Sequence, residues 1–175
     1  MHFYTSININ YFSKARILAK SVKRYCKNAR FSLILSDKMP DNINIDEEPF
    51  DDIITIDSLG IPVDNLYLWI FIHTTVELCT AVKGQALVRF LEEGSEKVVY
   101  LDPDIVVYND LKDIAVMLDE HDVLLTPHQT IPEKTKQGII DNEICSLRHG
   151  VYNFGFFAVK NSENGLAFAQ WWRDR

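Results

Sequence analysis

The stretch Lys97–Asn109, KVVYLDPDIVVYN, constrains this chain more than any other. Val98, Val99, Tyr100 and Leu101 lead into Asp102-Pro103-Asp104, and Ile105, Val106 and Val107 follow at once. Apolar residues on both sides of an acidic pair predict a strand buried on both faces, as at the centre of a parallel sheet. Carboxylates placed there are costly unless they are paired, hydrogen-bonded or bound to a metal. Strand side chains alternate with a period of two, so Asp102 and Asp104 are expected to face one side while Pro103 faces away. That makes a two-pronged oxygen site for a divalent cation. Magnesium and manganese favour hard oxygen ligands, and magnesium is usually held by one or two carboxylates while water and substrate phosphates complete its shell. A short D-x-D therefore points to Mn2+ or Mg2+ shared with a diphosphate, at the carboxyl end of a central strand, where open α/β sheets keep their ligands. The bland alternative is a surface turn, since Asp residues flank Pro in many turns and D-x-D also arises by chance.

The rest of the chain supplies alternating strands and helices. His2–Ile7 reads as a first strand ending in Asn8-Ile9-Asn10. From Tyr11 to Cys26, Ala15, Leu18, Ala19, Val22 and Cys26 recur at helical spacing. Phe31–Leu35 and Ile53–Ile56 read as further strands, separated by a loop around Pro40 and an acidic, solvated stretch from Asp46 to Asp52. Gly60–Leu68 looks irregular, and Trp69–Thr75 is ambiguous between strand and helix. Thr74 with Glu77 three residues on fits a capping box, and Gly94 is placed to end the helix that follows. Gly84 lies inside that helix at a cost of about 1 kcal/mol relative to Ala, so close packing against the sheet or a ligand is expected there. Asn109-Asp110 can cap a helix over Leu111–Leu118. Val123–Thr126 is the next strand, Ile131–Lys136 a mobile connection, Gly138–Leu147 weakly helical, Val151–Val159 another strand and Ser162–Arg173 a last helix. Strands interleaved with helices in this way favour an α/β fold with a mostly parallel central sheet flanked by helices.

Length and charge narrow the classes. A chain of 175 residues, 47% hydrophobic and 25% charged, suits a single α/β domain with a sizeable core. A formal charge of -7 argues against broad nucleic-acid binding, which relies on basic surface. Cys26, Cys79 and Cys145 are odd in number and widely separated, which fits free thiols in a reducing compartment. No signal-peptide pattern opens the chain, and no apolar run has the length of a membrane span, so a cytoplasmic setting is the expectation. The first strand, short polar turn and helix resemble the opening of a nucleotide-binding unit, but without a G-x-G-x-x-G or Walker-type sequence.

YLDPDIVV, soon after a helix ending Leu91-Glu92-Glu93-Gly94, resembles the D-x-D strand of GT-A glycosyltransferases, particularly the glycogenin-like group and its bacterial relatives. Two further stretches match in order: the helix beginning near Glu77-Leu78-Cys79-Thr80-Ala81-Val82-Lys83, and Val151-Tyr152-Asn153-Phe154-Gly155-Phe156-Phe157. The resemblance covers most of the chain. It implies a GT-A, nucleotide-diphospho-sugar transferase fold across residues 1–175, with Asp102 and Asp104 on the metal and Asp102 also toward the donor. It implies that Thr5, Ser6, Asn8 and Tyr11 meet the base and ribose, and that Lys83, on the preceding helix, faces the donor. Asn153 and Gly155 match an Asn-x-Gly element beside the sugar and acceptor. Asn153 can both donate to and accept from hydroxyls, and Gly155 admits a close backbone approach. His128 is a further candidate for a sugar or phosphate contact.

Each of these residues has a plainer role open to it: Asn8 as a turn and helix-cap residue, Lys83 as a helical lysine with its head in water, His128 as a solvated loop histidine, Asn153-Phe154-Gly155 as a strand bulge. Members of the resembled family usually continue into acceptor-binding elements and often a further metal ligand, so the expectation is the donor-binding part of a longer protein. The implied activity is metal-dependent transfer of a sugar from a nucleotide-diphosphate donor to a hydroxyl of a saccharide or lipid-linked saccharide, in surface polysaccharide synthesis at the inner face of a membrane. Two rivals stand beside it: a non-catalytic sugar-nucleotide or carbohydrate-binding module, and a HAD-like phosphohydrolase. The second normally carries its paired Asp residues after the first strand, whereas here the pair comes late.

Overall fold

β1 (His2–Ile7) is buried along its whole length, and its alternating side chains serve two different cores. Phe3 and Ile7 face one side of the sheet and Tyr4 the other. The computed structural model describes residues 1–41 and 43–175. After β1 come α1 (Phe12–Tyr25), β2 (Arg30–Leu35), β3 (Asp52–Thr55), α2 (Leu66–Phe71), α3 (Thr75–Glu92) and β4 (Lys97–Leu101). Then follow α4 (Lys112–Glu120), β5 (Val123–Pro127), the short α5 (Lys136–Gly138), a π-helical stretch (Ile139–Ile144), α6 (Cys145–His149), β6 (Tyr152–Lys160) and α7 (Glu163–Arg173).

The six strands form one sheet in the order β3-β2-β1-β4-β6-β5. β1, β2, β3 and β4 run parallel, and β6 is antiparallel to both of its neighbours. Phe3, Phe31, Leu33, Val99 and Leu101 pack beneath the Ala15, Leu18 and Val22 stripe of α1, with Leu118 of α4 beside them. Tyr4, Ile34, Val98, Tyr100 and Phe157 pack on the other face under Val82, Ala86, Phe90 and Ala169 of α3 and α7. Burial on both faces accounts for the nearly continuous apolar runs of the central strands. Among the described residues, no helix is long and apolar enough to cross a membrane.

Several local expectations hold. Thr74 and Glu77 form the reciprocal capping box that starts α3, and Gly94 follows its end with a φ of 91°. Other expectations are corrected. The predicted strand does not run on through Asp104 to Val107. β4 stops at Leu101, the Asp102 amide donates to the Gly155 carbonyl at 2.8 Å, and the Ile105 amide turns back to the Asp102 carbonyl at 3.0 Å. Val107 is buried in a loop, its amide donating to Ser21 Oγ of α1 at 3.0 Å. α2 starts inside the stretch expected to be irregular and runs into the ambiguous one, its N-cap Asn65 accepting from the Leu68 amide. The N-cap of α4 is Leu111, and Asp110 instead meets Lys112, through its amide at 3.4 Å and its ammonium at 3.5 Å. At Gly84 the close neighbour is neither the sheet nor a ligand. A Cβ there would lie 3.0 Å from the Arg173 Cα at the end of α7.

Candidate functional site

Parallel strands with right-handed connections leave their carboxyl ends facing one crevice, and β1 and β4 are neighbours at the middle of this sheet. A cavity of about 270 Å3 opens there. The end of β1 contributes Ser6, Asn8 and Tyr11, and the turn after β4 contributes Asp102, Pro103 and Asp104. One face of the first three turns of α3, carrying Thr75, Val76, Cys79, Thr80 and Lys83 at helical spacing, forms the wall. Both carboxylates thus meet one cavity, but because they flank a turn and not because they alternate along a strand.

The Asp102 carboxylate is held from below. Its Oδ1 accepts from the Tyr100 hydroxyl at 2.7 Å and from the Lys83 ammonium at 3.1 Å. Lys83 is buried, although a helical lysine ordinarily keeps its head in water, and it also donates to the Phe154 carbonyl at 3.2 Å and sits 4.2 Å from the centre of the Tyr100 ring. Burial lowers its pKa, while the Asp102 carboxylate acts to raise it. For Tyr100, burial first and the Asp102 charge second push the phenol well above its ordinary value, so it remains a donor at neutral pH. Asp102 itself is about a third exposed, at 37% of its side chain. Behind it, Gly155 of β6 comes so near that a Cβ would lie 2.9 Å from Asp102 Oδ2 and 2.9 Å from Asn153 Oδ1. Asn153 Oδ1 in turn accepts from the Gly155 amide at 2.7 Å.

The predicted site residues divide accordingly. Ser6, Asn8, Tyr11, Lys83, Asp102 and Asp104 share the cavity, and Gly155 touches it through Asp102. Thr5 is wholly buried in β1 and does not line it. His128 belongs to a different cavity of about 600 Å3, among Gln129, Glu133, Asn142, Cys145 and His149. Its amide pairs with the Val151 carbonyl at 3.0 Å. Tyr100 and the α3 residues Thr75, Val76, Cys79 and Thr80 also line the cavity, though none of them is among the predicted site residues. Both signals were present: Tyr100 precedes Asp102 by two along an extended chain, and the α3 residues share Lys83's helical stripe.

The donor set suits a hard cation in part. Asp102 and Asp104 bring hard carboxylate oxygens to one cavity, and of the Asp102 pair Oδ1 is already engaged by Tyr100 and Lys83. Among the described residues, no group of three or more His, Cys, Asp or Glu is arranged to hold a metal. Two carboxylates alone match a magnesium- or manganese-type site completed by phosphate oxygens and water.

No family model matches the sequence, and no curated protein matches it. Solved structures do. The galactosyltransferase LgtC, solved with donor and acceptor sugar analogues, aligns with a TM-score of 0.56 at 16% identity over 100% of this chain and 60% of its own. The glycosyltransferase GlyE of Streptococcus pneumoniae TIGR4 gives 0.55 at 18% identity over 99% of this chain and 37% of its own. Mouse xyloside xylosyltransferase 1 gives 0.50 at 9% identity over 99% of this chain and 74% of its own. The chain has the GT-A glycosyltransferase fold. It spans 60% of the length of LgtC and 37% of that of GlyE.

Proposed function

We propose that this chain is the donor-binding domain of a metal-dependent glycosyltransferase that moves a sugar from a nucleotide-diphosphate donor to a hydroxyl acceptor. The observation that carries the reading is the convergence of Asp102, Asp104 and Lys83 with the polar end of β1 in one cavity, within this fold. Ser6, Asn8 and Tyr11 line the cavity with hydrogen-bonding groups and an aromatic face that would meet a nucleoside. Asp102 and Asp104 would hold Mn2+ or Mg2+. The cation would act as a Lewis acid, offsetting charge that builds on the diphosphate as the glycosidic bond to it breaks. Lys83 holds Asp102 and adds positive charge beneath the same region. Asn153 and Gly155 stand behind Asp102 on β6, and the Asn153 amide group would meet the sugar or acceptor.

The wider setting belongs to the same proposal: a saccharide or lipid-linked saccharide acceptor, surface polysaccharide synthesis, and a cytoplasmic location at a membrane's inner face. Free Cys26, Cys79 and Cys145 support the reducing compartment. Against a HAD-like phosphohydrolase stands the position of the acidic pair, after β4 and not after the first strand. Calorimetric titration of UDP-, GDP- and CMP-type sugar donors, with and without manganese, tests the reading. Manganese-dependent binding of one donor class, with slow donor hydrolysis or transfer, is the expected result. Binding without turnover favours the non-catalytic module, and affinity indifferent to manganese removes the metal from the account.

A further inference from the structure

We infer that Tyr100 is a positioning residue: its hydroxyl, with the Lys83 ammonium, fixes one oxygen of Asp102 and leaves the other as a single-oxygen ligand for the cation. The inference rests on the metal and diphosphate reading above and extends it to a buried residue in the cavity floor.

The two donors converge on one atom. Tyr100 reaches Asp102 Oδ1 at 2.7 Å and Lys83 reaches the same oxygen at 3.1 Å, while Oδ2 lies against Gly155. A carboxylate free to rotate can bind a cation through either oxygen or both. Pinning Oδ1 from beneath removes that freedom and selects Oδ2. Partners of this kind orient metal ligands in many sites.

Packing dictates where the hydroxyl sits. The Tyr100 ring is wholly buried, stacked on Phe157 at 5.0 Å and 7°. It also meets Tyr4 edge-on at 5.1 Å and lies under the Lys83 ammonium. The phenol therefore cannot swing toward water.

A purely structural explanation would hold that a buried hydroxyl takes whatever acceptor lies nearby. Ser6 Oγ answers it, because it lies 3.2 Å from the Tyr100 oxygen. Ser6 gives its own proton to the Cys79 carbonyl at 2.6 Å, so its oxygen is free to accept. Tyr100 would be satisfied by Ser6 without Asp102. With one proton to give, the hydroxyl lies closer to the carboxylate, at 2.7 Å.

Tyr100→Phe removes the hydroxyl and keeps the ring, its stack on Phe157 and its contact with Lys83. Manganese uptake is measured by water-proton relaxation with UDP or GDP present, beside nucleotide affinity without metal and the thermal midpoint. The expected result is a roughly 10- to 100-fold loss of manganese affinity, the range seen when such partners are removed, with metal-free nucleotide affinity and thermal midpoint little changed. Unchanged manganese affinity in Tyr100→Phe overturns the inference. So does a parallel fall in metal-free affinity and thermal midpoint, which marks general damage to the fold. The Asp104→Asn protein separates the two levels of the account. If wild type and Asp104→Asn take up manganese equally, the metal reading itself fails. If Asp104→Asn loses manganese and Tyr100→Phe does not, only the positioning role fails.

Discussion

Gly155→Ala adds one methyl group between the strand behind the site and the carboxylate in front of it. The glycine is not needed for its backbone angles, since the positive-φ glycines are Gly60, Gly94 and Gly150. It is needed for space. The new Cβ would lie 2.9 Å from Asp102 Oδ2 and 2.9 Å from Asn153 Oδ1, several tenths of an ångström inside normal contact. Asn153 can turn away at the loss of its bond to the residue 155 amide, worth about 1 kcal/mol. Asp102 can yield only at the expense of its two held bonds, because moving Oδ2 draws Oδ1 away from Tyr100 and Lys83. Overpacking of this kind typically costs about 1–3 kcal/mol. Asp102 is partly exposed and can relax toward solvent, so the lower half of that range applies. The expected outcome is a folded protein destabilised by about 1–2 kcal/mol, with a thermal midpoint lower by about 2–8 °C. Manganese-supported donor affinity should fall about tenfold or more, equivalent to about 1.4 kcal/mol. Calorimetric binding with and without manganese, beside a thermal scan, checks both numbers. Wild-type manganese-supported affinity in Gly155→Ala would refute the claim that this contact sets the position of Asp102.

Two further predictions concern the scaffold. His2 is buried between Ser95 and Ser32, each 2.8 Å from a ring nitrogen, and burial first, then Arg30, lowers its pKa from 6.5 to about 4. Its contribution to stability is therefore fully present above pH 6.5 and is lost as pH falls through 4, because the unfolded chain takes up the proton first. The loss amounts to at most about 3 kcal/mol; urea midpoints at pH 7 and pH 4.5 for wild type and His2→Gln should diverge, and an identical pH dependence in the two proteins would contradict the assignment. At Gly84, alanine would gain about 1 kcal/mol of helix propensity but would press a Cβ to 3.0 Å from the Arg173 Cα. Overpacking against backbone should win by about 1 kcal/mol, lowering the thermal midpoint by about 2–4 °C, whereas a raised midpoint would show that α7 yields.

The elements carried by strong local chemistry were legible in the sequence. The Thr74–Glu77 capping box starts α3 as expected, and the apolar stripe Ala15, Leu18, Ala19 and Val22 does face the core. The acidic turn was found for a partly wrong reason. Apolar residues after Asp104 signal burial, and Val107 is buried, but burial in a loop tied to Ser21 leaves the same signal as burial in a strand. The antiparallel insertion of β6 between β4 and β5 was not legible, because spacing along the chain does not set neighbours across a sheet. Nor was the buried position of Lys83. Its role depends on Asp102 and the Phe154 carbonyl, and the latter lies 71 residues away in sequence. His128 shows the converse, a chemically suitable side chain just past the end of β5 that the fold carries into another cavity.

Manganese titrated into the wild-type and Asp104→Asn proteins, followed by its electron paramagnetic resonance signal in the presence and absence of UDP or GDP, tests the acidic turn most directly. The account predicts that the nucleoside diphosphate sharply strengthens manganese uptake by the wild-type protein and that Asp104→Asn abolishes this enhancement. Enhancement of equal size in the two proteins, or none in wild type with either nucleotide, would contradict it.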